Sequence, residues 1–254
     1  MFEKLGSGYK LTEYGDELYP AAKRIVSEWE TLQLSLNQIQ RRRHQFYHIG
    51  VAMGVDTPFV NFRSQLDQFL RKHGNVVMID AWDSYCEEKI ESGELDIAIT
   101  FGPVDDVRFD CTVLHQGTLA ALVHPENVLS NRKSLRIQDL ADQKIITVNR
   151  YFRNYDILMQ ACQSCGFKPR IVLNTVNLTA TLFGYQDRKA IGISNNLCYP
   201  TESIGEYKVI PVLDQKTTCQ INLLIHPRQC KNKAIQQLKQ ELLQCFFINT
   251  DVKC

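Results

Sequence analysis

Short polar residues gather where the apolar runs of this sequence end: Gly54, Val55, Asp56 and Thr57 after one run, Thr100 and Phe101 after another, then Asn149, Thr175, and Ser194 with Asn195. Such side chains cap helices and hydrogen-bond small polar molecules; they neither attack carbonyls nor shuttle protons unless a base or an activated nucleophile stands beside them. The motifs that signal bond-breaking chemistry are missing. There is no Gly-x-Ser-x-Gly turn, no Gly-x-x-x-x-Gly-Lys phosphate loop, no Gly-x-Gly-x-x-Gly and no His-Glu-x-x-His zinc helix. The expected chemistry is therefore binding, with no enzyme activity and no cofactor.

Histidine and cysteine do not change that expectation. His44 and His48 are four apart, but Gln45 to Met53 reads as extended, which places them on one strand face and not on a chelating helical face. No metal site is expected. The nine cysteines form one close pair, Cys162-Gln-Ser-Cys165, which ends a helix before Gly166 and lacks a second half or a preceding strand; packing as small apolar side chains is the expectation. Glu87-Glu88 and Asp105-Asp106 read as solvated pairs, and Arg41-Arg-Arg43 as a solvated hinge.

The polar run-ends need elements to hold them. Strands are expected at 46–53, 76–80, 95–100, 117–124, 145–148, 170–175, 190–194 and 220–225. Helices are expected at 58–72, 84–92, near 155–164, from Leu178, and at 231–247. Alternation of this kind gives parallel sheets, whose ligands sit beyond the carboxyl ends of the strands. Two similar lobes follow one another and the last helix returns to the first, so the run-ends converge on a cleft between them. Asp56 or Thr57 caps a helix with Pro58 in its first turn, and Asn177 caps another. Two helix amino termini facing one cleft favour an anion such as a carboxylate, while Asp56 opposes it.

Ahead of the lobes lies a different pattern. Leu18, Ala22, Ile25, Trp29, Leu32, Leu36 and Ile39 alternate steps of four and three, an a/d seam over three heptads. A lone helix cannot hide that seam, which predicts pairing with the same helix of a second chain. Before it, Lys4 to Lys10 reads as a tight two-stranded turn, with Gly6 and Gly8 free to take positive φ and Thr12 capping the helix. Lys4, Ser7 and Lys10 can touch a DNA backbone there but cannot read bases.

Phe2-Glu-Lys and Leu11-Thr-x-x-Gly15, with the helix after them, resemble the wing and linker helix of LysR-type transcriptional regulators. Gly93-Glu-Leu-Asp-Ile-Ala-Ile99 and Ala190-Ile-Gly-Ile193 resemble two strand motifs of that family's effector domain, in the same order. The resemblance spans nearly the whole chain. It implies an α/β, two-lobed, periplasmic-binding-protein-like effector domain behind a coiled-coil linker helix. The divisions expected are a remnant wing at 1–15, a dimerisation helix at 16–43 and an effector domain at 44–254, with lobe I at about 44–110 and 219–254 and lobe II at about 111–218. The family's helix-turn-helix would lie upstream of Phe2, so operator DNA is expected as a partner only where that module is supplied. The resemblance also carries the effector pocket to Thr57, Thr100, Asn149 and Ser194 by position.

Composition agrees with this picture. Lys plus Arg number 29 against 28 Asp plus Glu in 254 residues, without the basic excess that drives nonspecific nucleic-acid binding. Glu3 and Lys4 interrupt any opening apolar run and no stretch reaches the roughly 20 apolar residues of a membrane span, which predicts a cytoplasmic protein with no membrane partner. The expected function is the sensing of a small polar metabolite by a homodimer or tetramer. The alternatives are a stand-alone solute-binding protein of the same bilobal fold, which has no need of the Leu18 to Ile39 seam, and an enzyme, which needs a nucleophile or acid-base pair that the sequence does not offer.

Overall fold

The computed structural model describes residues 1–5, 8–44, 46–56, 62–104, 107–199 and 201–247. At its start β1 (Phe2–Leu5) and β2 (Gly8–Leu11) pair antiparallel, Phe2 opposite Leu11 and Leu5 opposite Gly8. Thr12 then ends the extended chain. Its Oγ1 accepts the N–H of Gly15 at 3.2 Å and its carbonyl accepts that of Asp16 at 2.8 Å, the two bonds of an N-cap. Gly15 has to be small: a Cβ there would stand 2.3 Å from the Met1 carbonyl oxygen.

The helix that follows, α1 (Glu13–His44), carries Glu13 and Asp16 in its first turn, where carboxylates complement the positive end of the helix. Pro20 lies well inside it. Along the expected seam Leu18, Ala22, Ile25, Trp29, Leu32 and Leu36 are all exposed, Ile25 at 69% and Trp29 at 58%. The side chain of Ile39 lies outside the described part. A helix whose apolar stripe faces water along its length is unfinished as a fold and needs a second surface.

After α1 the chain lays down β3 (Tyr47–Ala52), α2 (Phe62–Lys72), β4 (Val76–Ala81), α3 (Asp83–Glu91) and β5 (Ile97–Gly102), with β4, β3 and β5 parallel in that order. The third strand starts two residues later than its apolar run suggests. The Asp96 carboxylate accepts the N–H of His48 at 2.9 Å, and the Leu95 N–H closes on Lys89, so both residues belong to the turn.

A long strand, β6 (Asp110–Val123), leads into the second half: β7 (Lys144–Val148), α4 (Arg153–Ser164), β8 (Arg170–Thr175), α5 (Leu178–Gly184), β9 (Ile191–Asn195), β10 (Ser203–Ile204) and β11 (Tyr207–Pro211). Then β12 (Thr218–Ile225) and α6 (Lys233–Phe247) return to the first half, where Lys72 at the end of α2 and His73 just after it reach Glu241 of α6 at 2.6 and 2.8 Å. Strand order through the sheet is β4-β3-β5-β12-β6-β9-β7-β8, with β11 against β6 and β10 against β11.

Two sheet halves share β6. Asp110 to Thr118 pairs with β12, while Leu119 to Val123 pairs with β9 and β11. The hand-over therefore falls at Gly117 and Thr118, some residues beyond the division expected near 110. A Cβ on Gly117 would lie 2.2 Å from Asn196 Oδ1, and that oxygen accepts the Thr118 N–H at 2.9 Å. The sequence pattern gave no sign of the first half of β6, because Asp110-Cys-Thr-Val-Leu-His-Gln is only partly buried and lacks a clean alternation. The short β10 and β11 were not anticipated either. Among the described residues no helix is long and apolar enough to cross a membrane.

Candidate functional site

The carboxyl ends of the parallel strands of both halves face one cavity of about 350 Å³, within the size range of small-molecule sites. Met53 and Gly54 after β3 and Phe101 at the end of β5 form one wall. Val148, Phe152, Asn154, Ser194, Cys198 and Tyr199 form the other, closed by Val176 to Thr179 and by Ile204. Gly54 takes φ +92°, a left-handed conformation open to glycine, and so turns the chain away at the end of β3.

Of the residues picked from the sequence, Gly54, Phe101 and Ser194 stand on this wall. Val55 is wholly buried in the hydrophobic core. Thr100 is also fully buried, because β5 is covered on both faces and its register sets Thr100 opposite Asn222 of β12. Asn149 makes a turn, its Oδ1 accepting the Tyr151 N–H at 3.1 Å. Thr175 bonds to Thr181 at 2.7 Å and accepts the Asn177 N–H, so it braces the start of α5. Asn195 acts one layer out. Its Nδ2 donates to Asn154 Oδ1 at 2.8 Å and its Oδ1 accepts the Cys198 N–H at 2.7 Å, which fixes two wall residues. Asp56 is half-buried and off the wall, and Thr57 lies outside the described residues, as does Ser7 of the wing. Lys4 and Lys10 are exposed.

Nothing in the sequence pointed to the group that joins the two walls. Asp83, 2% exposed at the start of α3, accepts the Phe101 N–H at 2.8 Å through Oδ1 and the Arg153 N–H at 3.0 Å through Oδ2. One carboxylate thus ties the end of β5 to the first turn of α4. Burial pushes its pKa from 3.8 up to about 6, against the two backbone N–H groups and Arg153, which lower it. Four residues along α3, Glu87 pairs with the Arg153 guanidinium and, at 3.3 Å, with Arg108. Glu87 is buried and not the solvated residue that its neighbour Glu88 suggested. Beside this cluster the rings of Trp82 and Tyr151 stack with centroids 5.3 Å apart.

Cys162 and Cys198 are poor nucleophiles. Burial pushes the Cys162 thiol up to about 11 and that of Cys198 up to about 12, the opposite of the depressed value that a reactive thiolate requires. Cys162 is fully buried against the core, as expected for packing.

A family described as LysR substrate binding domain matches residues 52–246. Among curated proteins, the chain is 24% identical over 235 residues to the HTH-type transcriptional regulator YtlI of Bacillus subtilis strain 168, covering 90% of this chain and 74% of that protein. It is 25% identical over 142 residues to the uncharacterized HTH-type transcriptional regulator YwbI of the same organism, covering 55% and 46%. With XapR of Escherichia coli K12, also an HTH-type transcriptional regulator, it shares 24% over 178 residues, covering 68% and 58%. The matches span about half the length of YwbI and XapR.

Solved structures share the architecture. The BenM effector binding domain with its effector benzoate superposes with a TM-score of 0.61 at 16% identity, covering 79% of this chain and 91% of that one. CbnR, a LysR family transcriptional regulator, gives 0.56 at 15%, covering 93% and 82%. The reduced form of OxyR gives 0.62 at 16%, covering 81% and 97%. At such identities the likeness speaks for the fold, while the family match runs across most of the chain: this protein belongs to the LysR substrate-binding-domain family.

Proposed function

We propose that the chain is the effector-sensing and pairing portion of a LysR-type transcriptional regulator, in which a small molecule occupies the interlobe cavity and the lobe arrangement is passed along α1 to DNA-reading modules. The observation that carries this reading is the cavity itself, walled by strand ends from both sheet halves, so that a ligand inside it touches both and biases how they sit. Gly54, Phe101 and Ser194 act as contact residues in this reading, with Asn195 positioning Asn154 and Cys198. The exposed seam from Leu18 to Leu36 serves as the pairing surface of a dimer or tetramer, and Lys4 and Lys10 lend backbone contacts once a helix-turn-helix supplies base reading.

A thermal-shift screen of metabolites tests the proposal. Compounds that stabilise the wild type are expected to lose their effect on an Ile204→Trp variant, in which the added ring fills the cavity beside Tyr199. Stabilisation that persists in the filled variant places the binding site elsewhere and contradicts the reading.

A further inference from the structure

We infer that the interlobe cavity selects an uncharged molecule, an apolar body carrying a neutral hydrogen-bond acceptor, and discriminates against carboxylates. This rests on the proposed effector site and narrows the chemistry of what it takes.

Three observations support it. Among the described residues lining the cavity none is charged, and Met53, Phe101, Val148, Phe152, Leu178 and Ile204 make most of the wall apolar. An anion taken from water into such a place loses hydration without gaining a counter-charge.

Second, two backbone donors behind the cavity wall are already taken by an anion. The N–H groups of Phe101 and Arg153 both point at the Asp83 carboxylate, which holds the start of α4. The Arg153 guanidinium pairs with Glu87. Asp83 stands between Phe101 and Arg153, next to the wall residues Phe101, Phe152 and Asn154, and with a pKa of about 6 it is negative at neutral pH. A carboxylate of the protein thus already sits at the start of α4, and it repels a second one brought beside it.

Third, the polar groups left on the wall suit a neutral partner. Asn154 has its Oδ1 committed to Asn195, so its N–H2 is what it offers. Thr179 and Tyr199 share a hydroxyl pair at 2.9 Å, while the Cys198 thiol, kept protonated by burial, already donates to the Gly54 carbonyl at 3.8 Å. A carbonyl oxygen can accept from Asn154 and from the hydroxyl pair without bringing charge.

Matched pairs of acids and amides test the inference on the 254-residue chain at pH 7.5: benzamide against benzoate, cinnamamide against cinnamate, nicotinamide against nicotinate, followed by ligand-observed NMR titration. The amide of at least one pair is expected to bind at least about tenfold more tightly than its acid, since the anion must be desolvated without a partner. That binding should vanish in Ile204→Trp. Val176→Lys, which adds an ammonium at the exposed rim, should recover several-fold of the acid's affinity. Acids that bind as well as their amides, with both blocked by Ile204→Trp, overturn the neutral-ligand inference and leave the cleft reading standing. Binding of both members that survives Ile204→Trp overturns the cleft reading itself. Failure of every amide to bind at millimolar concentration counts against the neutral ligand.

Discussion

Asp83 and Arg153 are 70 residues apart in sequence, yet the carboxylate of one accepts the backbone N–H of the other at 3.0 Å, and this bond joins the first helix turns of two lobes. The same carboxylate holds Phe101 at the end of β5, so a single side chain spans the back of the cavity. Any change in how the lobes sit must stretch this bridge or keep it.

Removing the charge at Asp83 should change how stability depends on pH. Its pKa is raised on folding, from 3.8 to about 6, so the folded protein holds this proton more tightly than the unfolded chain. The stability it lends is full below pH 3.8 and is lost as pH rises to about 6; about 3 kcal/mol goes with a shift of this size at 1.36 kcal/mol per unit. Asp83→Asn removes this dependence and also loses one acceptor. Urea denaturation at several pH values should show the variant gaining on the wild type between about pH 4 and 6 and running parallel above it. Parallel curves throughout would contradict the buried, titrating carboxylate.

The Glu87–Arg153 pair should show coupling. Truncating Glu87 to Ala leaves a largely buried guanidinium short of its partner and is expected to cost about 2 to 3 kcal/mol, below the range for fully buried pairs because the Arg153 side chain is 21% exposed. Replacing both residues by Met should cost less than the sum of the single replacements. A double-mutant cycle by chemical denaturation measures the difference, and strict additivity would deny the pairing.

Charges placed in the seam should break the assembly. Light scattering on Ile25→Lys with Leu32→Lys is expected to give a lower mass than the wild type, since two ammonium groups would face the partner's apolar stripe. An unchanged mass excludes α1 as the main contact.

The wing predicts feeble DNA binding. With Lys4 and Lys10 exposed on a two-stranded turn, mobility shifts with this chain should be weak and should fade as salt rises to physiological levels. Sequence-selective binding that survives such salt would sink this reading of the wing.

Much of the architecture was legible because apolar runs and helical spacing are local signals. Arg170–Thr175 is a strand at the very residues its pattern suggested, and Thr12 caps α1 as its type demands. The cavity wall was legible in part, at Gly54, Phe101 and Ser194, since glycine and polar residues after an apolar run mark strand ends. What escaped is long-range. Asp83 looks in sequence like the ordinary start of a helix, and its partners at 101 and 153 are set by the packing of two lobes. Glu87 sits beside an exposed Glu88 and shares its local pattern, and only the fold buries one of the two. Apolar wall residues such as Phe152 and Ile204 are indistinguishable from core in a single sequence.

Amide hydrogen exchange with and without a stabilising compound from the thermal-shift screen tests the sensing of a ligand between the lobes most directly. The account predicts slower exchange at once in the segments near 53–56, 101–102, 152–154 and 177–180, which belong to opposite walls of the cavity. Slowing confined to one lobe, or found only away from these segments, would contradict it.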